Sequence, residues 1–413
     1  MGITNFYKEI KLKYPDAFFS IFDEIFEFLY IDLNCILHKC TYNCENIDEI
    51  IKKITYTIFE ICKKSQPTKC LYLFCDGTSP FAKLLLQRER RFSMNESLSL
   101  NFTPGTVFLK QLPSKLNDLI NIIRLHLNID VYIDSLNPGE SEIKIKNKIL
   151  ENYSKNTEDK HVLITTDADV ILILTSDISY KKCYILDHDI LLSIEKLINL
   201  HKKEYNLLNN SHLDFSFLNL LLGNDYLPKV SSINFNNLWE SYSYNIYNEN
   251  LIQIKKNEFI LNKYLLINIL TDILGGLKKN VLTKIKNKKE YFNNLNILNY
   301  FDGLKWNFDM YINGKCNDYN FIIEDKNNIN IINFIIFLNT IDELHIDMKR
   351  EIINKPINSE LCGILLIPYQ CKNLIDNKYH QFLDENKYIY EKNFIMNIKN
   401  LKKIVNLFTK YYE

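Results

Sequence analysis

The chain has 413 residues, 46% hydrophobic and 13% aromatic, which is enough apolar side chain for two domains and excludes a disordered polymer. Fifty lysines and arginines balance fifty aspartates and glutamates, so a general basic surface is excluded and any nucleic-acid site has to be a local patch. Ten cysteines without paired metal-type spacing, no apolar run of transmembrane length and no signal peptide in MGITNFYKEIK together predict an intracellular protein with reduced thiols and no membrane partner.

In chain order, residues 3–28 carry apolar Phe6, Ile10, Phe18, Phe19, Phe22 and Phe26 and read as helix, broken near Pro15. Residues 28–31 form a first buried strand that ends at Asp32, and a helix containing His38 follows. An amphipathic helix over 47–64 leads to a second strand, 71–75, which stops at Asp76-Gly77. The next helix places Lys83, Gln87, Arg90 and Arg91 at i, i+4, i+7 and i+8, one face of a 3.6-residue repeat. Only five of the fifty basic residues are arginine, and three of them fall here. Arginine offers phosphate a planar, bidentate fork that lysine lacks.

Residues 94–102 read as a short polar loop, 107–127 as one helix and 131–133 as a short strand. Pro138-Gly139 opens a helix over 140–153. A strand over 161–166 ends at Asp167, 170–174 continues apolar, and 183–186 is one more strand. An apolar helix over 214–222 stops at Gly223-Asn224-Asp225. Alternating strands and helices predict an α/β fold with a mainly parallel, twisted sheet flanked by helices. Beyond Trp239 asparagine, isoleucine and lysine dominate and strands are hard to find. The expected division is a catalytic domain over 1–245 and a mostly helical domain over 246–413 packed on it.

Seven acids stand where an apolar element meets a turn: Asp32, Asp76, Glu140, Glu142, Asp167, Asp169 and Asp225. Any one alone is accounted for as a cap or turn residue. Asp167 and Asp169 share a face if the backbone is extended there, so both could meet one ion. Seven converging carboxylates repel unless cations join them, and Mg²⁺ or Mn²⁺ takes oxygen ligands. Two such ions can activate a water and stabilise the leaving oxygen of a phosphodiester. The chemistry expected is a metal-dependent phosphodiesterase with a separate phosphate pocket one helix from Asp76.

These residues resemble the XRN family of 5′→3′ exoribonucleases. MGITNFYKEIKLKYP is similar to that family's N-terminal helix, LYIDLNCILHKC to its first acidic motif and DGTSPFAKLLLQRERRF to its second. TPGTVFL resembles a linking segment, while NPGESEIKI, TTDADVILI and DFSFLNLLLGNDYLP carry the remaining acids. The resemblance covers 1–230 and is faint later, at 303–316 around Trp306 and at 364–375.

The resemblance implies a PIN/flap-nuclease-like core. The seven acids would be ligands of two ions, Mg²⁺ or Mn²⁺. Lys83, Gln87, Arg90 and Arg91 would form the 5′-phosphate pocket, with Lys83 also on the scissile phosphate, and His38 would stack on the first base. The implied substrate is single-stranded RNA with a 5′-monophosphate, degraded to mononucleotides by a monomeric, cytoplasmic rather than nuclear enzyme. There are departures. Glu140-Ser141-Glu142-Ile143 stands where the family usually has Glu-Gly-Glu-His, and the long helix after the arginine pair is reduced to 94–102. Trp306 is left between base stacking and core packing. The brevity of the chain fits a reduced or virus-encoded member. The alternatives are a flap endonuclease acting on DNA, a non-catalytic RNA-binding protein on the same fold, and a small phosphoesterase. The first wants a glycine-rich hairpin after Asp225, yet no glycine follows until Gly275.

Overall fold

A computed structural model describes residue 3 and residues 5–94, 97–208, 210–247, 249–255, 258–275, 294–323, 325, 327–341, 344–346 and 352–412. Its centre is a seven-stranded sheet in the order β1-β7-β6-β5-β2-β3-β4. The strands are β1 (Phe18–Ser20), β2 (Phe28–Asp32), β3 (Cys70–Phe74), β4 (Asp130–Asp134), β5 (His161–Ile164), β6 (Cys183–Asp187) and β7 (Ile190–Ser193). β4, β3, β2, β5 and β6 run parallel, and β7 and β1 close one edge antiparallel.

The central strands are apolar runs because both faces are covered. Side chains alternate: Phe28, Tyr30, Cys70 and Phe74 enter one hydrophobic cluster, while Leu29, Ile31, Leu71 and Leu73 enter the other. Helices Ser141–Lys155, Val170–Thr175 and Ser211–Asn219 pack the first face; Leu33–Cys40, Ile47–Ser65 and Asn117–Leu127 pack the second. The expected α/β architecture is therefore observed, with the carboxyl ends of β2, β3 and β5 at one rim.

Several elements differ from the sequence expectation. Phe18–Ser20 is an edge strand paired with Leu191 and Leu192 of β7, and Phe22 is 79% exposed, so the aromatic spacing of 3–28 marks no continuous helix. The 107–127 segment is two helices, Val107–Lys115 and Asn117–Leu127, parted at Leu116 three residues after Pro113. Val170–Thr175 is a helix, and β7 with helix Ile194–Tyr205 was not anticipated. Beyond residue 245 helices prevail, but β8 (Ile252–Lys255), β9 (Glu258–Leu261) and β10 (Leu344–Ile346) form a small antiparallel sheet. Residues 276–293 and 347–351 of that region lie outside the described residues.

The first cluster runs on past the expected boundary at 245, through Leu251, Tyr300 and Leu338. A third cluster joins Phe81, Leu84 and Leu100 to Leu361, Leu365, Phe382 and Phe408. The helix carrying the basic face is thus braced from behind by the C-terminal segment. Arg88, turned off the basic face, donates to the carbonyls of Leu365 and Ile389.

One acid of the last motif belongs to this packing. Asp214 is fully buried and accepts from the Leu251 amide at 2.9 Å, the Ile252 amide at 2.7 Å and the Tyr242 hydroxyl. Asp214→Ala strands three buried donors, and a loss of roughly 3–5 kcal/mol is expected in chemical denaturation. Asp214→Asn keeps one acceptor oxygen and loses less; equal curves for wild type and Asp214→Ala would refute this role.

Candidate active site

The site is assembled by loops at the strand ends. Asp32 ends β2 and caps helix Leu33–Cys40 by accepting from the Asn34 amide at 3.0 Å. Asp76 lies just past β3. Its loop is zipped to the Pro138-Gly139 loop: the Gly77 amide donates to the Gly139 carbonyl and the Gly139 amide to that of Thr78, each at 2.8 Å. A Cβ on Gly77 would stand 1.9 Å from the Asn137 carbonyl oxygen, so only glycine admits this crossing. The zip sets Glu140, the N-cap of helix Ser141–Lys155, beside Asp76.

Ser141 is the hub. Its amide donates to Asp76 Oδ1 at 2.9 Å. Its hydroxyl lies 2.8 Å from Asp32 Oδ1, 3.2 Å from Asp76 Oδ1 and 3.2 Å from Glu142 Oε2. The Thr165 hydroxyl lies 3.4 Å from both Asp32 Oδ2 and Glu142 Oε1 and accepts from the Asp167 amide at 3.1 Å. Asp169 differs from expectation. The backbone turns helical there, so Asp167 and Asp169 share no strand face; the Asp169 amide donates to Asp167 Oδ1 at 3.0 Å, and its own carboxylate accepts from the Ile3 amide at 2.8 Å. Asp225 follows Gly223, at φ +80°. Asn224 holds the turn by accepting from the amides of Tyr226 and Leu227, each at 2.9 Å, and by donating to Asn307 at 2.8 Å.

The basic face meets these acids directly. Lys83 Nζ, buried, lies 2.7 Å from Glu140 Oε2 and 3.3 Å from Asp225 Oδ2, and Arg90 Nη2 lies 3.7 Å from Asp225 Oδ1. Arg91 donates from Nε to the Thr103 hydroxyl at 2.8 Å and from Nη1 to the Gln87 carbonyl at 3.4 Å; Gln87 Oε1 accepts from Ser79 at 3.2 Å. A cleft of about 390 Å³ is lined by Asp32, Asp76, Glu142 and Asp167 together with Lys83, Gln87, Arg90, Arg91 and His38. Glu140 and Asp225 join it through Lys83, and Asp169 lies behind Asp167. His38 is exposed, its ring edge-on to Phe102 at 5.6 Å.

Trp306 does not line the cleft. It is buried against Tyr226 and stacked on Phe321 at 4.8 Å, which resolves the choice left by the sequence in favour of packing. Asp134 shows that an acid at a strand end is not enough: it ends β4 but accepts from the Leu136 and Asn137 amides and pairs with Lys144 at 3.5 Å. Ser141, Thr165, Thr103 and Asn224 were missed as site-forming residues. The only local signal was their position inside the motifs.

Burial and crowding raise several of these acids above the ordinary carboxylate range. Asp32 is pushed up to about 7 by burial, then by the charge of Asp76. Glu140 is raised to about 7 by burial, with Lys83 opposing, and Glu142 and Asp169 are raised by burial and by neighbouring carboxylates. Lys83 is raised although burial works against its charge, because Glu140 and Asp225 outweigh it. Among the described residues no three His, Cys, Asp or Glu side chains are placed to share an ion as they stand. The donor set still fits a hard divalent cation. It is all oxygen; Glu140 Oε1 is buried with no hydrogen bond formed, and Asp225 Oδ2 has the Lys83 ammonium 3.3 Å away. The Lys83 ammonium places a buried positive charge between those two acids.

Residues 1–100 and 95–188 match the family described as XRN 5′-3′ exonuclease N-terminus. The chain is similar to 5′-3′ exoribonuclease 1 of Saccharomyces cerevisiae, 26% identical over 305 residues that cover 57% of this chain and 20% of that one. It is similar to 5′-3′ exoribonuclease 1 of Homo sapiens, 29% identical over 216 residues, 43% of this chain and 13% of that one. A protein of Acanthamoeba polyphaga mimivirus with the provisional name of a 5′-3′ exonuclease is 27% identical over 220 residues, 44% of this chain and 34% of its own. The chain spans about a fifth of the length of the first of these relatives. Among solved structures it is similar to the catalytic core of Rad2 in complex with DNA substrate, with 12% identity, a TM-score of 0.42 and coverage of 73% of this chain and 85% of that one.

Proposed function

We propose, from a chain whose residues 1–188 carry the N-terminal region of the XRN 5′-3′ exonuclease family, that this protein is a 5′→3′ exoribonuclease. Its substrate would be single-stranded RNA with a 5′-monophosphate, released as mononucleotides. The observation that carries this reading is that four of the acids, Asp32, Asp76, Glu142 and Asp167, and all four of the basic-face residues line one cleft of about 390 Å³. Residues 1–245 would be the catalytic region and 246–413 the brace that holds helix Phe81–Phe92 and the Asn224 turn.

Arg90, Arg91, Gln87 and Lys83 would receive the terminal phosphate through charge-assisted, partly bidentate bonds. A cap or triphosphate would overfill that pocket. His38, exposed in the cleft lining, would stack on the first base without regard to its identity. Asp32, Asp76, Glu140, Glu142, Asp167, Asp169 and Asp225 are the residues proposed to hold Mg²⁺ or Mn²⁺, as two ions. Such cations, when bound, would acidify a water and neutralise the leaving oxygen. Ser141 and Thr165 would keep the carboxylates in place. Lys83 would neutralise the phosphate next to the acids and is poised to exchange its carboxylate partners for it.

The test is end-labelled RNA with 5′-monophosphate, 5′-triphosphate or 5′-hydroxyl ends, with Mn²⁺ or with chelator. Mononucleotides are expected from the monophosphate alone and only with the cation. Cleavage indifferent to the 5′ end, or undiminished by chelator, would sink the proposal.

A further inference from the structure

The catalytic cleft is lined by Arg90, Arg91 and Phe102, and also by Cys35, Lys39 and Thr166. The last three also line a second cleft, of about 600 Å³, between helices Leu33–Cys40 and Ile47–Ser65. Helix Leu33–Cys40 is therefore a ridge between two clefts. Asn34 and His38 face the acids, Ile36 and Cys40 face the second cleft, and Cys35 and Lys39, one turn apart, occupy the crest. Thr165, whose hydroxyl lies beside Asp32 and Glu142, reaches the second cleft as well.

The second cleft is furnished for unstacked bases and a backbone. Its lining is largely apolar and includes Tyr42 and Tyr56, 77% and 68% exposed. Lys39, Lys53 and Lys64 line it against Glu60 and Asp187. Lys64 is paired with Asp189 at 2.7 Å and Lys53 donates to the Tyr42 carbonyl at 2.6 Å. Lys39, exposed at the crest, is the cation placed between the two clefts.

Polarity follows from the function proposed above, on which this inference rests. A 5′-phosphate on Arg90 and Arg91 would put the first phosphodiester over the acids, and Thr166, next to Asp167 and shared by both clefts, marks where the rest of the strand would leave. We propose that the second cleft is the track for the single-stranded RNA 3′ of the scissile bond, with Lys39 on its backbone and Tyr42 and Tyr56 on its bases. Tyrosine stacking tolerates any base, as stepwise degradation requires.

The full-length protein, kept in chelator, is irradiated with a 5′-monophosphorylated RNA carrying 4-thiouridine a few nucleotides past the first phosphodiester. Crosslinks are expected on peptides containing Tyr42 or Tyr56. Tyr42→Ala with Tyr56→Ala should weaken binding of that RNA by ~10-fold and leave binding of a 5′-phosphorylated dinucleotide unchanged. Lys39→Gln should lower the slope of log affinity against log salt by ~0.7, the loss of one single-strand phosphate contact. The wild-type crosslink carries the test even if a variant misfolds. Crosslinks confined to other surfaces, with 5′-phosphate-selective cleavage intact, overturn the track and leave the function standing. A cleft that captures a protein but no RNA overturns it too. Absence of 5′-phosphate-selective cleavage on any RNA would remove the function and the track together.

Discussion

Asp167→Asn is expected to lower cleavage of 5′-monophosphorylated RNA by at least ~10³-fold, about 4 kcal/mol in the barrier, with no loss of fold stability. Asp167 lines the cleft; its carboxylate accepts from the Asp169 amide at 3.0 Å and its own amide donates to the Thr165 hydroxyl at 3.1 Å. The asparagine amide oxygen can keep the bond from the Asp169 amide, so the backbone turn survives. What disappears is a negative charge. That charge helps to raise Asp32, Glu142 and Asp169, so its removal relieves crowding rather than adding strain. Single-turnover assays on end-labelled RNA measure the rate, and thermal melts with and without Mn²⁺ measure the rest. Wild type should melt higher with the cation, because a ligand bound only by the folded state stabilises it, and the variant should gain less. A variant that cut at near the wild-type rate would end the assignment of Asp167 as a ligand.

Arg90→Ala with Arg91→Ala should collapse the preference for a 5′-monophosphate over a 5′-hydroxyl from ~10²-fold or more to near unity. Two charge-assisted bonds of about 1.5–3 kcal/mol each set that scale. Arg91 is held in a fixed pose by Thr103 at 2.8 Å and by the Gln87 carbonyl at 3.4 Å, and burial disfavours its charge. A phosphate arriving there would supply the missing counter-charge. Arg91→Lys should not restore selectivity, because one ammonium cannot bond Thr103 and also present a planar fork. The ratio of kcat/KM values for the two 5′ ends is the readout. Discrimination that survived the double change would place the phosphate pocket elsewhere.

Arg88 and Arg91, three residues apart on one helix, go to different partners. The 3.6-residue period sets Lys83, Gln87, Arg90 and Arg91 on one face, and the cleft does receive all four. The same period also turns Arg88 off that face. That this arginine binds the carbonyls of Leu365 and Ile389 could not be read locally, since its partners lie 277 and 301 residues away. The acids behave in the same way. Asp32 and Asp76 were legible because an apolar run that stops at a carboxylate marks a strand end. Asp134 carries the same signature on β4 and serves its own loop, so position at the rim and not the local pattern separates it from the site.

From its residues alone, this chain specifies alternating strands and helices, the motifs that carry the acids, and one cationic helix face, because each depends on periodicity within a few turns. Tertiary structure decided what joins them: the Gly77–Gly139 crossing, the Ser141 hydroxyl among three carboxylates, Asp169 turned toward Ile3, and Trp306 committed to packing. Those outcomes depend on which distant segments come within hydrogen-bond reach. Reach between segments is set by how the whole sheet and its helices pack, and no window of sequence contains it.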